Sequence, residues 1–288
     1  MQTTEIKAQK ALALTSITIA DYVINPYRGC SFGCKYCYAK RNKHCLNRAE
    51  EWGEFVDVKI NLADILYEEL KNNSSIKRVL IGSTTEVYQH VEKKYKLTRD
   101  VLTLLSEFKI PVTILTKSDL IVRDIDILKL NKENEICFTI SPVSDEYLRL
   151  FEKRSPLNKD RINAVKQLLD NNINVYPHIG PLMPGFDGVE DAVQNDKQLF
   201  LPRIDFEIFN YNTMDGELIK DIYKKHIASK YDLFSKVYSN EEEYNKYWGD
   251  KIKEIDKVYK DIPHKVHLHP FENYFFNKKG QYSIEKNN

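Results

Sequence analysis

No stretch of the chain approaches the roughly 20 consecutive apolar residues that a membrane-spanning helix needs, so the sequence predicts no membrane anchor. The N-terminal MQTTEIKAQKALALTSITIA carries Lys7 and Lys10 ahead of a short apolar run. Thr and Ser interrupt that run, and Asp21 follows without a cleavage site, so it does not read as a signal peptide. Charge of one sign is lacking too. Lys and Arg number 43 against 42 Asp and Glu, for a net charge of +1, which supplies no global pull toward nucleic acid or membrane and leaves only a local basic groove open. Cysteine is scarce. There are five, an odd number, and Cys30, Cys34 and Cys37 fall within eight residues. That distribution does not build a disulfide scaffold and suits thiolate ligands in a reduced, cytoplasmic chain. No cysteine follows Cys137, which argues against a second cysteine-ligated cluster in the C-terminal third. Low-complexity linkers and internal repeats are missing as well.

What is present is alternation. Apolar residues make up 42% of the 288, enough for a sizeable core, and 30% are charged, enough for a well-solvated surface. β-Branched runs at Val56–Ile60, Arg78–Ile81, Val112–Leu115, Ile136–Ile140, Ile173–Tyr176 and Asp205–Phe209 read as strands. Between several of them lie segments with apolar residues at helical spacing, at Leu62–Leu70, Asp100–Phe108 and Asp160–Asp170. About six βα units predict an α/β fold, a parallel sheet closing into an open or partial (β/α)6 TIM-like barrel, whose ligands gather at the carboxyl ends of the strands. After about Asp215 the texture turns rich in Lys, Glu and Tyr, and Tyr247, Trp248, Ile252, Ile255 and Tyr259 recur at helical spacing. The expected division is a barrel over residues 1–212 and a helical C-terminal extension over 213–288, its tail VHLHPFENYFF returning over the barrel mouth.

The chemistry concentrates in NPYRGCSFGCKYCYAK, residues 25–40, with the spacing C-x3-C-x2-C. Three thiolates on one tight loop can bind three corners of a cubane cluster, and Gly29 and Gly33 let the loop fold around an inorganic core. Ferredoxin-type sites use four cysteines. A fourth iron without a protein ligand is the open position that a catalytic site requires. The competing reading is a structural zinc ion, with His44 or Cys45 as a fourth ligand, although no second ligand pair stands at zinc-module spacing.

The C-x3-C-x2-C loop resembles the signature of the radical S-adenosylmethionine superfamily. Its surroundings are similar to the spore photoproduct lyase-like branch, also called DNA repair photolyase-like, through NPYRGCSFGCKYCYAK (25–40), GSTTEVYQHVEKKYKLTRDVL (82–102), TKSDLIVRDIDIL (116–128), SPVSDEYLRLFEKRSPLNKDRINAV (141–165) and HIGPLMPGFDG (178–188). The resemblance implies a [4Fe–4S] cluster on Cys30, Cys34 and Cys37 with S-adenosyl-L-methionine on the open iron. Reductive cleavage then yields a 5′-deoxyadenosyl radical that takes hydrogen from a substrate, and an external donor such as flavodoxin or ferredoxin supplies the electron. It further implies that Tyr36 lies near the adenine and that Gly82, Ser83, Thr84 and Glu86 form the glycine-rich, acid-ended strand end that meets the ammonium group. Lys117 and Arg154 are expected to face the carboxylate, Ser141 to hydrogen-bond the cofactor, and the HIGPLMPG backbone to contact the adenine.

One departure limits the resemblance. Where spore photoproduct lyase has a hydrogen-donating cysteine, this chain aligns Ser83, whose O–H bond is too strong to serve a carbon radical readily. Cys137, in NEICFTIS, reads as a small buried hydrophobe. The substrate class thus stays open between a small molecule or nucleotide-like compound and nucleic acid. Nucleic acid would need a basic groove, for which Lys40, Arg41, Lys43, Arg48, Lys93, Lys94 and Lys96 are candidates, and the near-neutral charge disfavours it. A third possibility is a non-catalytic zinc or iron–sulfur module. His264, His267 and His269, in PHKVHLHP, are a candidate metal or substrate contact, with His267 and His269 on one face of a strand.

Overall fold

The computed structural model describes residues 1–187 and 202–271. The strands are β1 (Gln2–Ile6), β2 (Ala13–Leu14), β3 (Tyr22–Ile24), β4 (Tyr27–Arg28), β5 (Phe55–Lys59), β6 (Val79–Ile81), β7 (Val112–Thr116), β8 (Glu135–Ile140), β9 (Asn174–Leu182), β10 (Ile204–Ile208) and β11 (His264–His267). The chain divides into two compact units. The first comprises Met1–Cys34, Ala39–Phe138 and Lys153–Val175, and the second Lys35–Tyr38, Thr139–Glu152 and the described residues from Tyr176 onward.

In the first unit β3, β6, β7 and β8 follow one another in parallel, with β2 antiparallel on the outer side of β3. β6 and β7 are almost wholly buried, as strands covered on both faces must be, which is why they read as continuous apolar runs. The helices between them follow their apolar spacing. Leu62–Asn72 buries Leu62, Leu66 and Leu70, and Leu97–Glu107 buries Val101, Leu102 and Leu105. In the second unit β9, β10 and β11 are parallel neighbours. The fold is the partial, TIM-like α/β barrel that the sequence predicts, and no closed barrel forms among the described residues.

One strand takes a different place. Val56–Ile60 reads as a member of the parallel series, but β5 pairs with β1 and β4 in a separate three-stranded sheet, and the three-residue β3 stands beside β6 instead. Two positions of alternation are too few to declare a strand. β5 conceals its side role because its first four residues are all buried, including Asp57, which Arg48 meets at 3.3 Å.

The C-terminal extension is helical, over Gly216–His226, Ala228–Val237 and Glu241–Val258. The last helix starts where Asn240 accepts a hydrogen bond from the Glu243 amide, and three glutamates occupy its first turn, where the helix dipole favours negative charge. It buries Tyr244, Trp248 and Ile255. Trp248 is completely buried, so Trp248→Ala should lower stability by about 3–5 kcal/mol through the lost apolar burial and the cavity left behind. A fall in the urea midpoint with an unchanged slope would register that loss.

Candidate active site

The cysteine loop begins where β3 ends. Asn25 clamps the neighbouring strand end, accepting from the Thr84 amide at 3.0 Å and donating to Ser83 Oγ at 3.2 Å. Gly29 then takes φ +77°, and a Cβ there would lie 2.5 Å from the Phe55 carbonyl oxygen, so only glycine fits both the turn and the contact. Cys30 and Cys34 are buried and Cys37 is half-buried, and none of the five cysteines is in a disulfide.

Side chains from elsewhere in the first unit hold the loop. Thr85 donates to the Gly29 carbonyl at 2.6 Å, and Gln89 accepts from the Ser31 amide at 2.8 Å. His90 Nδ1 stands 3.0 Å from Ser31 Oγ. Arg154 donates to the Ser31 and Gly53 carbonyls at 3.2 and 2.6 Å and to Glu54 at 2.6 Å, while its own amide reaches the Phe32 carbonyl at 3.1 Å. Lys117, one residue past β7, places Nζ 3.8 Å from Cys34 Sγ. A cation at that position favours the thiolate.

Glu86 is turned inward. Its carboxylate accepts from Thr116 Oγ1 at 2.6 Å, the Lys117 amide at 3.0 Å and the Tyr88 amide at 3.0 Å. Burial raises its pKa, and these three donors work against that rise. Both oxygens therefore tie the Gly82–Tyr88 segment to the end of β7. In the second unit the Tyr36 hydroxyl donates to the fully buried Glu152, and the Lys35 amide donates to the Phe151 carbonyl at 2.7 Å. Ser141 follows directly on β8, and its buried Oγ accepts from the Val143 amide at 3.2 Å.

Sequence reasoning singled out Lys117, Glu86, Arg154, Ser83 and Thr84, and the fold brings them to the cysteine loop or to strand ends that brace it. It missed Thr85, Gln89, His90, Glu152 and the clamping role of Asn25, although all but Glu152 lie inside the motifs quoted for the resemblance or next to their cysteines. Cys137 is buried within β8. Gly188, the last residue of HIGPLMPGFDG, and the tail beyond Phe271 lie outside the described residues.

The donor set can be tested against the groups it might hold. Among the described residues no three His, Cys, Asp or Glu side chains converge on one point as ligands of a single ion. A structural zinc ion needs that convergence. The corners of a cubane do not, because each thiolate binds a different iron. Cys45 is half-buried with its thiol pushed up by burial, and His44 is pushed down, first by Arg28. Neither is prepared as a zinc ligand. The loop thus suits a three-cysteine cluster better than a zinc ion. Gly29→Ala should prevent the turn, and after anaerobic reconstitution its iron content should fall toward that of Cys34→Ala, with the far-UV circular dichroism retained.

Comparison with known proteins agrees with this geometry. A family model described as the Radical SAM superfamily matches residues 24–194. An uncharacterized protein of Methanocaldococcus jannaschii is 33% identical over 258 residues, covering 90% of this chain and 94% of that protein. Among solved structures, spore photoproduct lyase complexed with dinucleoside spore photoproduct superposes with a TM-score of 0.66 at 16% identity, over 92% of this chain and 81% of that one. Streptococcus suis SuiB bound to precursor peptide SuiA superposes with a TM-score of 0.53 at 15% identity, over 91% of this chain and 52% of that one. At those identities the two structures speak to the fold. The family match, extending over more than half of the chain and across the cysteine loop, carries the assignment: this chain belongs to the radical SAM superfamily and is a radical SAM enzyme.

Proposed function

We infer that Cys30, Cys34 and Cys37 hold a [4Fe–4S] cluster and that the enzyme takes a hydrogen atom from a small-molecule or nucleotide-like substrate. The observation that carries this reading is the loop itself. Carbonyls 29, 31 and 32 are tied down by Thr85, Arg154 and the Arg154 amide, and Lys117 stands beside the Cys34 sulfur. When bound, the cluster and S-adenosyl-L-methionine supply an electron and, from it, a 5′-deoxyadenosyl radical. The protein's own part is to bind, orient and exclude stray hydrogen donors. In the first unit the Gly82–Thr84 backbone is assigned to the cofactor's amino-acid end, with Lys117 near its carboxylate. Glu86 and Arg154 act as positioning residues, since both are occupied in holding the loop and its neighbours. In the second unit Tyr36, fixed through Glu152, and Ser141 are assigned to the nucleoside end. Flavodoxin or ferredoxin remains the proposed electron donor. Among the described residues no helix is long and apolar enough to cross a membrane.

A second reading, modification of nucleic acid, draws on one local feature. Arg28, Lys43 and Lys59 all act on the exposed His44 and lower its pKa, and Lys59 is itself pushed down to about 8 by burial and by Arg28. Such an electropositive spot suits a phosphate, whereas Arg48 is engaged with Asp57 and Glu50.

Two measurements separate these readings. After reconstitution with iron and sulfide, dithionite and S-adenosylmethionine should yield 5′-deoxyadenosine in the unsubstituted chain and none in Cys34→Ala. Stoichiometric zinc with no iron uptake would sink the cluster. DNA affinity should change little with salt if the substrate is small. A steep slope, reduced by about one unit in Lys43→Ala, would favour nucleic acid.

A further inference from the structure

Three histidines and one carboxylate of the second unit take no part in the cysteine loop. The register of β9, β10 and β11 sets His178 beside Asp205 and Glu207 beside His267. Paired residues on neighbouring strands share a face, and Asp205 and Glu207 are two apart, so all four side chains stand on the same side of the sheet. The opposite side carries Ile204, Phe206 and Ile208, all completely buried, with Phe206 5.3 Å from the Tyr259 ring. The polar face is therefore the one turned away from Tyr259 and the helix that precedes it. Glu207 and His267 lie at or next to the carboxyl ends of their strands, where parallel sheets gather ligands.

Glu207 is the hub. Its Oε2 lies 3.1 Å from His178 Nε2, a hydrogen bond, and its Oε1 lies 3.5 Å from His269 Nε2, within ion-pair range but not aligned as a hydrogen bond. The His267 and His178 rings are 6.3 Å apart. Burial alone would raise the Glu207 carboxyl, but the two histidines outweigh it and hold the group well below the usual carboxylate range. An ionised carboxylate can only accept, so His178 Nε2 carries the hydrogen and the neutral ring presents a lone pair at Nδ1. Neither His178 nor His269 has a partner at Nδ1 among the described residues. The His178, Glu207 and His269 side chains are 20%, 29% and 24% exposed, so the group is accessible and not a sealed core brace. Gly180 keeps the space clear, because a Cβ there would lie 3.0 Å from Glu207 Cβ and 3.4 Å from His178 Nε2. Tyr38, next in the chain to Cys37, feels the charge of both Cys37 and Glu207, which places this group beside the end of the cysteine loop.

We propose that His178, Glu207 and His269 form a substrate subsite for a hydroxyl- or amine-bearing group, which donates hydrogen bonds to the two Nδ1 atoms while Glu207 fixes the rings. The face is dominated by acceptors. Asp205, with Arg203 at 3.6 Å, adds a second carboxylate, and a phosphate there would meet two anions. The inference depends on the hydrogen-abstraction reading only in calling the ligand a substrate.

The test uses the full chain, reconstituted anaerobically and labelled with 15N-histidine, with ring resonances assigned through His178→Gln and His269→Gln. Ribose, ethanolamine and inorganic phosphate are titrated separately. The expected result is that His178 is protonated at Nε2 and bare at Nδ1, with Nδ1 shifting on addition of ribose or ethanolamine but not of phosphate. The shift should be lost in Glu207→Gln. Doubly protonated rings that respond to phosphate would overturn the proposal in favour of an anion site, and no response to any probe would overturn it outright. Deoxyadenosine formation by the unsubstituted chain is measured alongside. A chain that forms it without a histidine response sinks the subsite alone, whereas a chain that forms none sinks the radical reading while the histidine shifts still decide the subsite.

Discussion

A loop that commits its thiols to an inorganic core must still satisfy its own backbone, since buried carbonyls and amides left without partners each cost about 1–3 kcal/mol. Everything around residues 29–34 answers that requirement. Thr85 takes the Gly29 carbonyl, Gln89 the Ser31 amide, and Arg154 the Ser31 carbonyl by its guanidinium and the Phe32 carbonyl by its amide. The glycine at 29 makes the arrangement possible, because the chain there touches the Phe55 carbonyl too closely for any side chain. The loop is thus shaped before any ligand arrives, and the shape comes from polar groups on the strand ends of the first unit rather than from apolar packing.

The same economy explains why a residue expected to meet the cofactor is found bracing the protein. Glu86 lies where an acid would greet an ammonium group, yet three donors from the chain already share its two oxygens. A buried carboxylate with no donors would be protonated or expelled. With three, it becomes a rigid joint between the Gly82–Tyr88 segment and β7. Lys117 gains from this directly. Its amide is held by Glu86 while its ammonium reaches Cys34, so the carboxylate sets the position of the cation beside the sulfur. Arg154 has the analogous role on the other side of the loop.

Strands buried on both faces were legible because their apolar runs admit few other interpretations. Val79–Ile81, Val112–Thr116 and Glu135–Ile140 lie within one residue of their predicted bounds. Tyr22–Ile24 was not legible, being too short to show a period, and β5 was placed in the wrong sheet because burial of Asp57 made a side strand look central. The cysteines and their neighbours were legible from spacing. The partners that matter most for the second unit were not. Glu207 sits in a strand of ordinary alternation, and nothing in IDFEI distinguishes it from a solvated acid until the register brings His178 and His267 alongside. Histidine density in the tail did flag His267 and His269, but a one-strand pattern cannot supply the carboxylate that gives them a purpose.

Ser83 connects these levels. A serine in place of a donor cysteine removes a weak S–H bond, and chemistry alone makes repair by hydrogen return through that position unfavourable. The fold adds a second obstacle. Ser83 Oγ accepts from the Asn25 amide, and Asn25 also receives the Thr84 amide, so the hydroxyl belongs to the clamp that joins the end of β3 to the end of β6. A group used to hold the cysteine loop in register is poorly placed to give up its own hydrogen, because a departure from that hydrogen bond would loosen the strand end on which the loop depends. The structural role and the lost donor chemistry therefore point the same way. The radical-generating half of the family's machinery is built into this chain, and the fate of the substrate radical must be decided by groups other than residue 83.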